Sequence, residues 1–424
     1  GNKLLMRLLF WYLMVFGTSA FGDGEDWWKW RGPNGDGTWQ GPNITKDLSD
    51  GGLERIWKTP VHPGYSGVTT RNGLIYLMDR PPKEKFGEVE RVLCFDAQKR
   101  RIQWEYSYQS KYEKLGYGKG PRSSVTIYQG KAYCLGAMGY AHCLDALKGT
   151  LIWKRDLKKE LKIKNPIWGF SAAPEPLDLS ILYHVGSKHT GNILALDAKT
   201  GKTNWAAGND SMAGYSPPLL VEASGIRQMI CWGPNKIMGL PVGGGEEFWS
   251  LPYQVKYGVS IAKPIYEDGI LLVSGYWNGS KAIRVEKNRG AKLLWSEEDD
   301  LRGLMAQPLY REGICYLLDR SHGLTAFELR TGSILWRDQH RLTAANRNPH
   351  ASLVWTNKKK GDALSLNAEG ELVFMNLSGE QYHEYWREQV VGETWAHPAY
   401  SGDKVYLRDD RWLACWQLPV KNEH

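Results

Sequence analysis

Polar and aromatic residues recur at one position of a Ser/Ala-x-Pro pattern, and these are the residues of the chain best suited to binding chemistry. The pattern is complete at five places and partial at two others, namely 172–174, 216–218, 262–264, 306–308 and 396–398, then 66–68 and 123–125. In an extended strand, the middle residue of the pattern and the residue two before it point to the same side. The residues that we predict to face a common channel are Tyr65, Arg122, Ser124, Tyr215, Lys263, Met305, Gln307, Trp395 and His397.

Cations, amides and aromatic rings around one channel would suit a polar or anionic small ligand, or a peptide loop of a partner protein. The alternative is a water-filled axis in which the same side chains are simply solvated. Other chemistry lacks the required spacing: the sequence has no H-x-x-x-H or H-E-x-x-H pair for zinc and no G-x-S-x-G nucleophile turn. The glycine-rich stretch 30–37 follows no strand and opens no apolar helix, which argues against a phosphate-binding loop. We therefore predict no catalytic residue and no metal ligand.

An evenly spaced set of tryptophans indicates the elements that must position these residues. Successive members are between 41 and 52 residues apart, and the set comprises Trp57, Trp104, Trp153, Trp205, Trp249, Trp295, Trp336 and Trp386. Most of them end a phrase that is complete at 195–205, with a small residue first, an acidic residue third, glycine seventh and tryptophan eleventh. A unit of this length cannot bury its own faces and must stack on its neighbours.

The unit has the pattern of a four-stranded antiparallel meander. Residues 303–336 contain four short strand-like stretches that are separated by turns. Seven complete units follow one another, whereas 53–59 supplies only an outermost strand and 394–418 supplies three strands without a fourth. We therefore predict an all-β protein: an eight-bladed β-propeller of four-stranded blades over 53–418, with the last blade closed by both termini.

The two ends of the chain and its net charge indicate its location and the kind of partner it can bind. Residues 1–22 have basic residues, a short apolar run and small residues, as in a secretory signal peptide, so we predict a periplasmic or secreted protein without a transmembrane segment in the mature chain. Residues 23–52 are predicted to cap the propeller with their tryptophans, and 419–424 to form a tail. The net charge of +8 is dispersed and the short basic runs contain no aromatic residues, so we predict no nucleic-acid partner. We also predict a monomer.

Six cysteines leave one pair to consider. With a turn at 137–140, Cys134 and Cys143 would lie directly opposite each other on adjacent strands. An exported chain permits a disulfide there. The corresponding pair in a later repeat, Leu317 and Ala326, favours simple core packing instead.

The phrase A-x-D-x-x-T-G-x-x-x-W at 195–205 resembles the repeat of PQQ-like, quinoprotein-type eight-bladed propellers. The resemblance covers roughly 53–418 through degenerate copies, and WRGPNGDG at 30–37 is similar to the opening of exported bacterial members of this group. One branch of the family holds alcohol and sugar dehydrogenases that use PQQ with calcium. Another branch holds non-catalytic scaffolds, such as the propeller lipoprotein of the outer-membrane β-barrel assembly machinery.

The residues favour the scaffold branch. The alcohol dehydrogenases typically carry two adjacent cysteines over the cofactor, and their haem-bearing members carry C-x-x-C-H; neither pattern occurs in this sequence. The calcium ligands and catalytic Asp of that branch match no position. We therefore predict a non-catalytic binding or scaffolding propeller of the bacterial cell envelope, without a cofactor, whose partners are envelope proteins or a small polar ligand. A PQQ- and calcium-dependent alcohol or sugar dehydrogenase with an atypical site is the alternative, and a carbohydrate-binding or hydrolytic propeller is the third hypothesis.

Overall fold

The computed structural model describes residues 26–223, 225–287 and 290–421. Its strands form four-stranded antiparallel sheets. The first strand is β1 (Glu54–Pro60). Blade one contains β2 (Thr69–Arg71), β3 (Leu74–Asp79), β4 (Val89–Asp96) and β5 (Arg101–Gln109), and blade two contains β6 (Thr126–Tyr128), β7 (Lys131–Leu135), β8 (Tyr140–Asp145) and β9 (Leu151–Asp156). Blade three contains β10 (Glu175–Leu177), β11 (Ser180–His184), β12 (Ile193–Asp197) and β13 (Thr203–Ala207), and blade four contains β14 (Leu219–Ala223), β15 (Ile226–Trp232), β16 (Lys236–Pro241) and β17 (Trp249–Pro252). Blade five contains β18 (Ile265–Glu267), β19 (Ile270–Gly275), β20 (Gly279–Val285) and β21 (Ala291–Glu297), and blade six contains β22 (Leu309–Arg311), β23 (Ile314–Asp319), β24 (Gly323–Glu328) and β25 (Ile334–Arg337). Blade seven contains β26 (Ala351–Asn357), β27 (Asp362–Asn367), β28 (Glu371–Leu377) and β29 (Tyr382–Gln389), and blade eight contains β30 (Ala399–Ser401), β31 (Lys404–Arg408) and β32 (Trp412–Gln417). Short helices α1 (Lys83–Phe86) and α2 (Leu157–Leu161) and a 3-10 turn (Lys256–Gly258) lie in connections.

The blades confirm the predicted eight-bladed propeller and the way in which its ring closes. In blades one to seven, consecutive strands of the chain are hydrogen-bonded in order from the innermost strand to the outermost. In blade eight the order is β30, β31, β32 and then β1, so the outermost strand comes from the beginning of the chain. Trp57 of β1 lies opposite Cys415 of β32. The edge that β32 would otherwise expose is thereby covered.

The register of the outer strands explains the repeated phrase. In blade three, Ala195 lies directly opposite Trp205, so the first position of the phrase must be small to leave room for the indole. Asp197 accepts backbone N–H bonds from Lys199 and Thr200, each of 2.9 Å, and so holds the turn between the two strands. Gly201 adopts φ +75°, which a tight turn of this kind requires.

Half of the repeat tryptophans bind the next blade through the indole N–H. The indole donates to a backbone carbonyl of the next blade at 2.8–3.0 Å in four pairs: Trp104 to Ala146, Trp153 to Ala198, Trp295 to Leu329 and Trp336 to Ser378. Trp249 differs: it donates to the side chain of Gln228 within its own blade, because Gly239 opposite it has no side chain. Four of the eight repeat tryptophans thus stabilise the contact between neighbouring blades.

The predicted opposition of Cys134 and Cys143 is wrong by one residue. Cys143 lies opposite Tyr133, and Cys134 lies opposite His142. A one-residue difference in register puts two side chains on opposite faces of a sheet. The corresponding assignment of Leu317 to Ala326 fails in the same way, since Tyr316 is the partner of Ala326. All six cysteines are free and buried.

The two ends of the chain are described in part. The predicted signal peptide at 1–22 lies outside the described residues. Within the described ranges, no helix is long and apolar enough to cross a membrane. The strands run from Glu54 to Gln417, and residues 26–38 lie against the innermost strands around the channel of the propeller.

Candidate functional site

A pocket of about 160 Å³ opens at the channel end from which the innermost strands start. We call it the aromatic pocket. Its walls are the rings of Trp30, Tyr65, Tyr117, Trp168, Tyr215 and Trp395. The polar side chains that line it are those of Arg122, Ser171, Gln307, Asn348, His350 and His397. Except for Trp30, these residues belong to the connections that enter the innermost strands.

The rings support one another across neighbouring connections. Tyr65 stacks on Trp395 with ring centres 5.6 Å apart. Tyr117 packs edge-on against both Trp395 and Trp168 at 5.4 Å. Trp168 in turn lies 6.0 Å from Tyr215, and its backbone N–H donates to the Tyr215 hydroxyl at 3.1 Å. Aromatic pairs at these separations hold their relative orientation, so the walls of the pocket are preorganised.

Arg122 holds two of these connections in place. Its guanidinium donates to the carbonyl of Trp168 at 2.6 Å and to the carbonyls of Gly116 and Tyr117. It also lies over the ring of Tyr65, at 5.3 Å. Burial lowers the pKa of Arg122. Because its donors are directed at backbone carbonyls, Arg122 is a positioning residue of the pocket wall.

Two histidines lie at the inner end of the pocket. The rings of His350 and His397 meet edge-on at 5.4 Å, and His397 meets Trp30 at 5.5 Å. Burial and then the nearby charge of Arg31 lower the pKa of His350 to about 4, although the backbone of Trp395 opposes part of this change. The backbone of Trp395 is therefore a hydrogen-bonding neighbour of the His350 ring, which is buried.

The opposite end of the channel is filled by residues 26–45, which we call the plug segment. It makes hydrogen bonds with six blades, in the pairs Asp26 and Ser401, Trp27 and Thr70, Trp28 and Ile127, Lys29 and Glu175, Arg31 and Leu353, and Gly35 and Lys263. Farther along, the indole of Trp386 donates to the carbonyl of Thr45 at 2.9 Å. The plug segment thus contacts innermost strands around the channel as well as the outermost strand of blade seven, and its Trp30 forms part of the aromatic pocket.

A second, polar cavity of about 300 Å³ lies between the plug segment and blades four to seven. Lys263 lines this lower cavity, where its ammonium group donates to the carbonyl of Gly35 at 3.4 Å. Burial lowers the pKa of Lys263. Gln307 lines both cavities and therefore lies between them.

The structure brings together most of the channel residues that were predicted from the sequence. Those in the aromatic pocket are Tyr65, Arg122, Tyr215, Met305, Gln307, Trp395 and His397. Lys263 faces the lower cavity instead, because its long side chain reaches down to the plug segment. Ser124 is 4 % exposed and packs beside Gly67 and so lines neither cavity.

Sequence reasoning missed several residues of the pocket. They are Trp30, Tyr117, Trp168, Ser171, Asn348 and His350. Blade seven lacks the Ser/Ala-x-Pro pattern, so nothing marked Asn348 or His350. The aromatic residues of the connections that precede 123–125 and 172–174 were the signal that would have found Tyr117 and Trp168.

The donor set of the aromatic pocket does not match the cofactor of the dehydrogenase branch. A calcium ion beside a quinone requires oxygen ligands that include carboxylates. None of the described residues that line the pocket carries a carboxylate. We therefore derive no chemical step through PQQ or calcium.

Comparison with known proteins agrees with this architecture. A family model described as outer membrane protein assembly factor BamB matches residues 88–338 and again 236–385. Among solved structures, BamB from Moraxella catarrhalis is similar with a TM-score of 0.59 at 17 % identity, over 86 % of this chain and 99 % of that one. The quinohemoprotein alcohol dehydrogenase from Comamonas testosteroni gives 0.66 at 13 % identity, over 96 % and 82 %. A europium-containing methanol dehydrogenase gives 0.65 at 13 % identity, over 91 % and 90 %. A comparison with curated proteins finds no match. At these identities, the solved structures show a shared propeller fold alone.

Proposed function

The chain belongs to the PQQ-like propeller family described as outer membrane protein assembly factor BamB, and from this premise we propose that it is a non-catalytic binding propeller of the bacterial cell envelope. Its ligand, either a small molecule or a side chain of an envelope protein, occupies the aromatic pocket. The family description refers to the outer membrane, which supports a location in the envelope.

The observation that carries the proposal is a preorganised pocket at one end of a channel whose other end is filled. Contacts with six blades fix the plug segment, and rings from separate connections fix the pocket wall. Concave sites lined by rings and a few polar groups are typical of small-ligand binding. Catalysis of hydride transfer would need, in addition, a cofactor beside a metal and a base in a closed site.

The alternative function is a PQQ- and calcium-dependent alcohol or sugar dehydrogenase. The similarity to two dehydrogenase structures favours it at the level of fold. The composition of the pocket disfavours it, because rings, amides and imidazoles line the place where calcium would need carboxylates.

Two measurements on the purified protein test the proposal. In the first, PQQ and calcium are added, and dye reduction is followed with alcohols and sugars. We expect no turnover above the protein-free control, and turnover that a chelator abolishes would contradict the proposal.

In the second measurement, thermal unfolding is followed with six-membered-ring probes of three classes: neutral methyl pyranosides, benzoate and cyclohexanol. We expect at least one class to raise the unfolding temperature. The increase should disappear in Trp395→Ala and persist in Tyr257→Ala, because Tyr257 is 64 % exposed and lies outside the pocket. If no class produces a shift, the pocket is not the binding site.

A further inference from the structure

A buried lysine without an ion-pair partner lines the lower cavity. Lys263 is 7 % exposed, and among the described residues its ammonium group has one hydrogen bond, a long one of 3.4 Å to the carbonyl of Gly35. An ammonium group has three N–H donors and no acceptor. A buried charge is costly unless an opposite charge or hydrogen bonds compensate it, and one long bond to a carbonyl compensates little of this cost.

The groups around Lys263 carry an excess of positive charge. A Cβ built on Gly35 would lie 3.3 Å from the ammonium nitrogen of Lys263 and 3.4 Å from that of Lys29, so both ammonium groups border this glycine. Lys29 pairs with Glu175 at 2.9 Å. Arg31, which is 2 % exposed, adds a third positive charge and lines the lower cavity beside Lys263. The single carboxylate of Glu175 therefore faces three cations.

Three carboxylates line the same cavity, but they are more exposed than the lysine. Asp36 and Glu222 are exposed and Glu267 is partly exposed. The carboxylate of Asp36 accepts from the backbone N–H of Thr38 at 2.9 Å and from its hydroxyl at 2.5 Å. Among the described residues, none of the three comes within the 4.0 Å of an ion pair with Lys263. The buried part of the cavity is therefore cationic.

The size and the walls of the lower cavity suit a small organic molecule. Its volume of about 300 Å³ is larger than the cavity of about 150 Å³ that holds benzene. Apolar side chains, among them Leu219, Val221 and Ile265, line it together with the charged groups. A ligand with one anionic group can bring that group to Lys263 while the rest of it packs on these side chains. A cationic ligand would be repelled at the same place.

We propose that the lower cavity is a second ligand site, in which the ammonium group of Lys263 binds the carboxylate or phosphate group of a small anion. The site is separate from the aromatic pocket, so this inference goes beyond the proposed function and does not depend on it. Recognition is non-covalent, through a charge-assisted hydrogen bond from Lys263, and the nearby charge of Arg31 strengthens it. A bound anion would also offset the burial that lowers the pKa of Lys263.

The test is calorimetric titration of the full chain with acetate, hexanoate, inorganic phosphate and methyl phosphate, at an ionic strength held constant with sodium chloride. We expect at least one of these anions to bind. Lys263→Met, which keeps much of the side-chain length and removes the ammonium group, should weaken that binding about tenfold or more. Lys256→Met is the matched control, because it removes the same charge from an exposed lysine outside both cavities, and we expect its affinity to be unchanged.

Two further variants make the outcome decisive. Leu219→Trp keeps the ammonium group but fills part of the cavity, so it should also weaken the binding, and it serves if Lys263→Met does not fold. Trp395→Ala, in the aromatic pocket, should leave the affinity for the anion unchanged. Equal affinity in Lys263→Met and the unmodified chain, loss of binding in Trp395→Ala alone, or no binding of any of the four anions would overturn the inference. Each of these results leaves the proposed function standing.

Discussion

The contact between Trp153 and Gly201 gives the sharpest test of how neighbouring blades hold together. Trp153 is 7 % exposed and donates to the carbonyl of Ala198 at 3.0 Å. Gly201 has φ +75°, and a Cβ placed on it would lie 2.5 Å from the Trp153 ring. A methyl group at position 201 therefore meets two separate penalties, one from the backbone and one from the indole.

The two penalties can be separated with Gly130. Gly130 has φ +78°, almost the same as Gly201, but nothing lies within 4 Å of its would-be Cβ. We expect Gly130→Ala to lower the free energy of unfolding by about 1–2 kcal/mol, through left-handed backbone strain alone. We expect Gly201→Ala to lower it by a further 1–3 kcal/mol or so, from overpacking against the ring.

A double-mutant cycle completes the test, with urea unfolding as the assay. Trp153→Ala alone should cost about 3–5 kcal/mol, because it removes a buried indole. In that background the ring is absent, so Gly201→Ala should cost no more than Gly130→Ala does. The coupling between the two positions should then be about 1–3 kcal/mol. Additive effects, or equal costs at Gly201 and Gly130 in the wild-type background, would refute this account of the repeat.

Three further predictions concern closure, pH and the pocket wall. Deleting 394–424 removes three strands of blade eight and exposes the edge of β1, and we expect insoluble or non-cooperatively melting protein; a truncated chain that melts like the full one would contradict the closure. Between pH 6.5 and about 4 the unfolded chain binds a proton that buried His350 excludes, so this histidine alone should lower the free energy of unfolding by about 1.4 kcal/mol per unit of falling pH, and His142, whose pKa burial also lowers to about 4, adds to the slope. Urea midpoints should show a flatter pH profile in His350→Gln but not in His383→Gln, which alters an exposed histidine. Arg122→Lys cannot reach both connections at once and should lower the free energy of unfolding by about 1–3 kcal/mol and increase proteolysis near Tyr117.

Repetition made most of the fold accessible from the sequence. The phrase at 195–205 combines a small residue opposite an indole, an acidic residue across a turn and a glycine in the turn, and the structure gives each of them that place. The incomplete units at 53–59 and 394–418 had one way to form a full blade. The predicted strand register was wrong where it depended on the exact position of a turn. Leu135 pairs with Ala141, which places Cys134 opposite His142 and not opposite Cys143.

The candidate site was predictable only where it followed the repeat. Tyr65, Trp395 and His397 occupy the predicted positions of the Ser/Ala-x-Pro pattern and meet in one pocket. Trp30 reaches the same pocket from the plug segment, whose docking depends on contacts such as that of Arg31 with Leu353, 322 residues away. Contacts of that range leave no periodic signal in a single sequence.

The measurement that tests the central claim most directly is ¹⁹F NMR of protein labelled with 5-fluorotryptophan and titrated with the three classes of ring probe: methyl pyranosides, benzoate and cyclohexanol. Resonances are assigned by single Trp→Phe substitutions. If the aromatic pocket is the binding site, the signals of Trp168 and Trp395 should shift saturably, whereas those of Trp104 and Trp153, which lie between blades, should stay in place. Saturable shifts confined to the tryptophans between blades, or no shifts with any of the three classes, would contradict a ligand-binding pocket in this channel.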